Sequence, residues 1–127
     1  MLTLSDRASA EERAYHSRST AQFVNATGGF VATGNGTHLG SYTESGNVSI
    51  SSTGQVEGSA TLTAANGDEL YVVITGEVNA TGEIIGTITF EGATTGRFKD
   101  ATGSASLVAQ IQPDGTITIV VEGTIDY

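Results

Sequence analysis

The stretch Gln55-Val-Glu-Gly-Ser-Ala-Thr-Leu-Thr-Ala64, followed by Ala65-Asn-Gly-Asp68 and Glu69-Leu-Tyr-Val-Val-Ile-Thr-Gly-Glu-Val78, decides the fold. In its first arm Gly58, Ala60, Leu62 and Ala64 share one face, while Glu57, Ser59, Thr61 and Thr63 share the other. In its second arm Leu70, Val72, Ile74 and Val78 alternate with Glu69, Tyr71, Thr75 and Glu77. A period of two is the signature of a half-buried strand, and Asn66-Gly67 between the arms favours a type I′ hairpin turn. This is an antiparallel hairpin with one wet and one dry face.

The same period extends outward in both directions. Thr20–Asn25 and Gly29–Gly34 read as strands around Ala-Thr-Gly, and Leu39–Glu44 and Asn47–Ser52 follow, with Ser45-Gly46 as a turn or bulge. Downstream, Ile84, Gly86, Ile88 and Phe90 form the apolar face of Glu83–Glu91. Ala105, Leu107, Ala109 and Ile111 do so in Ser104–Gln112, and Ile117, Ile119, Val121, Ile125 and Tyr127 in Thr116–Tyr127. Asn79-Ala-Thr-Gly82 and Pro113-Asp-Gly115 are turns. About eight strands, neighbours in sequence, predict an all-β, antiparallel up-and-down barrel, because closure removes exposed edges.

Residues 5–18 are the one helical expectation: Ser9 with Glu12 makes a capping box, and Ala-Glu-Glu-Arg-Ala continues it. The chain is accordingly read as an N-terminal helical or irregular arm, 1–19, and one barrel domain, 20–127. At 127 residues a single core needs neither metal nor disulfide.

The net charge is −9. The first twenty residues are balanced, and the remainder holds eleven acidic groups against Arg97 and Lys99. Such a surface repels phosphate backbones and anionic lipid, which excludes nucleic acid and membrane as expected partners. With no Cys and two His, neither a thiolate nucleophile nor a transition-metal site is expected, and no cofactor is implied. Met1-Leu-Thr-Leu runs at once into Ser5, Asp6 and Arg7, so no signal peptide is read, and a cytoplasmic or an exported mature chain both stay open. Asn25, Asn35, Asn47 and Asn79 begin Asn-x-Ser/Thr triplets, which the Ser- and Thr-rich composition explains.

One segment departs from plain sheet: Gly92-Ala-Thr-Thr-Gly-Arg-Phe-Lys-Asp-Ala-Thr-Gly103, expected to cross or close one end of the barrel. Together with Gly36-Thr-His-Leu-Gly-Ser-Tyr42 and Ala65-Asn-Gly-Asp-Glu-Leu70 it resembles a group of largely uncharacterised bacterial proteins, often exported, with a Thr-His-Leu-Gly segment and a later Gly-x-Thr-Gly-Arg-Phe-x-x-Ala-x-Gly segment. The resemblance covers roughly 28–127, and it departs from the pattern where Ala-Thr precedes Thr95 in place of Gly-Gly. It implies an eight-stranded calycin-like barrel related to the allene oxide cyclase, dirigent and spirotetronate-cyclase barrels. It implies no particular activity.

Small residues on the apolar faces (Gly58, Ala60, Ala64, Gly86, Ala105, Ala109, Gly123) serve either a narrow barrel that must twist and close or a ligand cavity. Arg97 is expected either to contact a ligand oxygen at the barrel mouth or to anchor the crossing segment, with Phe98 as plug. The favoured reading is a barrel that binds a small, mostly apolar molecule in its interior or mouth, with Arg97, Phe98, Phe90, Leu62 and Leu107 as ligand-binding residues. The alternative is a cyclase or isomerase of the allene oxide cyclase or spirotetronate-cyclase type, with His38, Tyr42 and Arg97 catalytic, His38 lying close to Glu44 in sequence. A structural module without ligand is the third reading. A homo-oligomer is a further expectation.

Overall fold

The computed structural model of the protein describes residues 12–127. Eight strands run in chain order: β1 Glu12–Phe23, β2 Gly29–Gly36, β3 Gly40–Ile50, β4 Gln55–Ala64, β5 Glu69–Val78, β6 Ile84–Phe90, β7 Thr102–Ile111 and β8 Ile117–Asp126. Each pairs antiparallel with the next, and β8 returns to β1, closing the barrel. The closing seam is continuous, from Glu12 opposite Asp126 to Ala21 opposite Ile117. Among the described strands none is an edge strand open to another chain.

The helix expected over 5–18 does not form in its described part, since Glu12–Arg18 belongs to β1. The sheet therefore takes in Glu12–Ser19, which the sequence pattern assigns to the arm. Residues 1–11, Ser9 of the capping box among them, lie outside the described residues. The physical reason is that the ladder with β8 overrides a weak local preference for helix. Alternation in β1 is real but disguised: its inward positions are Tyr15, Ser17, Ser19 and Ala21, all buried, and two of them are serines.

A second difference lies in β3. Ser45-Gly46 is not a turn, for Ser45 pairs with Thr61 and Gly46 with Ala60 in one unbroken ladder. The two strands expected over 39–52 are one.

The four short hairpins β3–β4, β4–β5, β5–β6 and β7–β8 share one turn chemistry. In each, a glycine amide closes back three residues: Gly54 to Ser51 O, Gly67 to Ala64 O, Gly82 to Asn79 O and Gly115 to Gln112 O. Each of these glycines has φ near +90°. That is a type I turn followed by a left-handed residue, the three-residue hairpin with a bulge. The type I′ turn expected at Asn66-Gly67 is corrected on this point: His38 is the only non-glycine among the described residues with positive φ, so Asn66 is not left-handed.

The inward faces of β4 to β8 are those the alternation predicts, with Leu62, Leu70, Val72, Ile74, Ile88, Phe90, Leu107, Val121 and Ile125 buried in one core. Ile111 is the exception: it sits at the end of β7 and is 59% exposed.

Candidate functional site: the interior cavity and the closed end

The three segments that carry the family resemblance meet at one end of the barrel. Gly92–Ala101 leaves β6, crosses this end and delivers Phe98 into the core, where it is fully buried. Phe98 packs edge-on against Tyr127 at 4.9 Å. Arg97 lies over the Phe98 ring at 4.6 Å, donates from Nη2 to the His38 carbonyl, and pairs through Nε with Asp68 Oδ2 at 3.2 Å. One side chain thus ties the crossing segment to the β2–β3 and β4–β5 turns.

His38 is the centre of the β2–β3 turn. Its φ of +68° is a left-handed conformation that costs a non-glycine residue about 1–2 kcal/mol. Its contacts offset that cost. Nε2 lies 2.8 Å from the Ala14 carbonyl, which can only accept, so Nε2 carries the proton. Nδ1 then accepts from the Tyr127 hydroxyl at 2.8 Å. Both ring nitrogens are engaged, and Arg13 stacks on the outer face of Tyr127 at 4.6 Å. This end is a clasp.

Above the clasp lies a cavity of about 70 Å³. A single water needs about 10–15 Å³ on this measure, so the barrel is not solidly filled. Tyr15 and Phe90, edge to face at 4.9 Å, line it towards the closed end. Leu62, Val72, Ile74, Ile88, Leu107 and Val121 line its walls. At the opposite end the lining passes to half-buried Val48, Ile84 and Ile119 and then to Phe23, which is exposed. The cavity therefore reaches the surface among the β1–β2, β3–β4, β5–β6 and β7–β8 turns.

One sector of the wall is polar. Tyr15, Ser17 and Ser19 of β1 and Tyr42 and Glu44 of β3 all line the cavity. β2 lies between them, and its inward positions are Phe30, Ala32, Gly34 and Gly36, with only Ala32 and the two glycines beside the polar groups. Gly34 faces Ser19 on one side and Tyr42 on the other. A Cβ there would stand 2.6 Å from the Ser19 Cβ and 2.4 Å from the Arg18 carbonyl oxygen. Absence of that side chain allows the polar groups of β1 and β3 to share one patch across an intervening strand.

Glu44 is the outlier of this patch. Its side chain is buried, at 9% exposure, between Ala32 on β2 and Leu62 on β4. Burial pushes its carboxyl up to about 7. Among the described residues none forms an ion pair or hydrogen bond with that carboxyl. Burial also raises the Tyr15 and Tyr42 hydroxyls, partly opposed by Ser17 beside both and Ser19 beside Tyr42. No Lys, Arg or His among the described residues lines the cavity. Among the described residues no group of three metal-ligating side chains occurs.

Of the residues singled out from sequence, Tyr42, Leu62, Phe90 and Leu107 line the cavity. His38, Arg97 and Phe98 do not; they lie together in the clasp. Glu44, Tyr15, Ser17 and Ser19 were not singled out. The available signal was an acidic residue at an inward position of β3, legible only once Ser45-Gly46 is read as continuous strand. Neither protein-family models, nor curated proteins, nor solved structures give a match to this chain.

Proposed function

We propose that the barrel binds a small, mostly apolar molecule, admitted at the turn-lined end and held in the interior. The observation that carries this reading is the apolar cavity that opens at one end and is closed at the other by Tyr15 and Phe90, with Phe98 buried in the closed end. A concave, largely apolar space with a few convergent polar groups is the usual form of a small-molecule site. The enclosed part, about 70 Å³, is about half the size of a cavity that takes a benzene ring, so the rest of a six-carbon chain lies in the open mouth. The calycin-like relationship implied by the three segments is compatible with this role.

The test is a titration of the full chain with 1-hexanol, followed by methyl NMR. Resonances of Leu62, Ile74, Ile88 and Leu107 shift saturably, while those of Leu39 at the clasp do not. Ala109→Leu, which fills the cavity, weakens the effect at least about tenfold. Saturable shifts nowhere in the interior would contradict the proposal and leave a structural module.

A second reading, an isomerase or cyclase of the type the resemblance implies, draws on Glu44. A carboxyl whose proton is exchanged near neutral pH, beside Tyr42, suits general acid–base chemistry. His38 and Arg97 are taken up by the clasp, so in this reading Glu44 and Tyr42 carry the chemistry. A bound molecule recovered unchanged after incubation at pH 7 argues for binding alone; conversion abolished in Glu44→Gln argues for the enzyme.

A further inference from the structure

We infer that the interior selects a small apolar amine, its ammonium group paired with the Glu44 carboxylate and its alkyl or aryl body lying along the apolar wall. This rests on the binding role proposed above and adds the chemical class of the ligand.

The inference begins from an unmatched group. Glu44 is buried in the barrel, its carboxyl lines the cavity, and none of the described residues supplies it with a cation or a hydrogen-bond donor. Buried carboxylates are ordinarily paired, because an unpaired charge loses its hydration with nothing in return. Here none of the described residues supplies the partner, and the carboxyl keeps accessible surface on the cavity. A ligand cation completes the pair.

The neighbours favour an ammonium over other cations. It has three N–H donors, and the cavity offers three kinds of acceptor in one sector: the Glu44 oxygens, the Ser17 and Ser19 hydroxyls, and the Tyr15 and Tyr42 phenols. Tyr15, Tyr42 and Phe90 add aromatic faces, which attract cations. A bare metal ion would find one carboxylate and a largely apolar wall, which suits it poorly. An anionic head group would meet Glu44 with no cation to receive it.

The described residues around Glu44 carry no positive charge. β1 presents Tyr15, Ser17 and Ser19, its own strand Tyr42, β2 Ala32 and Gly34, and β4 Leu62. None is basic. Arg97 and Arg13 are held in the clasp. The net charge of −9 raises the local concentration of cations around the whole barrel.

The experiment compares three six-carbon probes on the full chain at about pH 8, where Glu44 is ionised: n-hexylamine, 1-hexanol and hexanoate. The expected order is hexylamine at least about tenfold tighter than hexanol, and hexanoate the weakest. In Glu44→Gln the advantage of the amine disappears, while in Glu57→Gln, whose side chain is exposed on the outer face of β4, the advantage is unchanged. The amine-to-hexanol ratio in the native chain rises from about pH 6 to about pH 8 as the carboxyl ionises, because the amine itself stays protonated to about pH 10. Hexylamine binding no tighter than hexanol, or an equal advantage in Glu44→Gln, overturns the amine inference and leaves apolar binding standing. Binding of none of the three overturns both.

Discussion

The two ends of the barrel treat their polar groups in opposite ways. At the closed end the conspicuous polar side chains find partners within the chain: Arg97 the His38 carbonyl and Asp68, His38 the Ala14 carbonyl and Tyr127, and Thr94 the Tyr71 hydroxyl at 2.8 Å. In the interior that opens at the other end, Glu44 is buried and has no described partner. The difference separates two kinds of unusual residue. A lone arginine or histidine in a signature segment attracts a functional label, yet here both are fasteners. The carboxyl that no sequence pattern advertises is the one that faces the cavity.

The largest effect expected from breaking this contrast lies at the plug. Phe98 is fully buried in the crossing segment, and Phe98→Ala removes a whole aromatic side chain from a packed site. A loss of about 3–5 kcal/mol in urea unfolding is expected, with Phe98→Leu losing much less. If the alanine variant unfolds at nearly the native urea midpoint, Phe98 is not what closes this end.

Next in size is the pH dependence that Glu44 imposes. Its folded-state carboxyl titrates at about 7 against an ordinary value of 4.5, so between these values the folded chain holds a proton that the unfolded chain has released. The associated stability is fully present below about pH 4.5 and lost as pH rises to about 7. The loss amounts to about 3 kcal/mol. Glu44→Gln, which keeps the shape and cannot ionise, flattens this part of the stability–pH curve and is the more stable protein above pH 7. An unchanged slope in the variant would place the titration elsewhere. A saturating amine also reduces the slope in the native chain, which ties the interior's stability to its ligand.

Arg97→Ala comes third. Its side chain is 42% exposed, so the Asp68 pair contributes little in water and most of the loss comes from the unmatched His38 carbonyl. A destabilisation of about 1–2 kcal/mol is expected, with hexanol affinity unchanged. Loss of ligand affinity without loss of stability would return Arg97 to the site and blur the division between the ends. Smallest of all is Ile111→Thr. At 59% exposure on the open rim it changes stability by no more than about 0.5 kcal/mol by thermal unfolding.

The barrel was legible because its signal is repetitive. Leu70, Val72 and Ile74 in β5, and Ile117, Ile119 and Val121 in β8, announce a strand by period alone, and the turn glycines announce where each strand stops. Ends and exceptions were harder to read. β1 was hidden because Ser17 and Ser19 occupy inward positions, so its dry face does not look dry, and because Ala-Glu-Glu-Arg-Ala prefers helix in isolation. For its first part, 12–16, only the seam with β8 supplies a strand partner, and local propensity carries no information about a contact so distant in sequence.

The site was illegible for the same reason. Splitting β3 at Ser45-Gly46 leaves Glu44 at a strand end, where a carboxylate is unremarkable. Running the ladder through Gly46 to Ile50 puts Glu44 in mid-strand on the inner face. Arg97 and Phe98, by contrast, were legible as anchor and plug, since a segment crossing a barrel end needs both a charged tie and an apolar stopper. The choice between anchor and ligand contact required the position of Asp68 and the His38 carbonyl.

Direct observation of the Glu44 carboxyl tests the central claim, that the interior holds an unpaired acid poised for a cationic partner. Its carboxyl-carbon resonance can be followed by NMR through a pH titration, first alone and then saturated with n-hexylamine. The account predicts a midpoint of about 7 in the free protein and a fall of at least about one pH unit when the amine is bound. A midpoint near 4.5 that the amine does not move would contradict it.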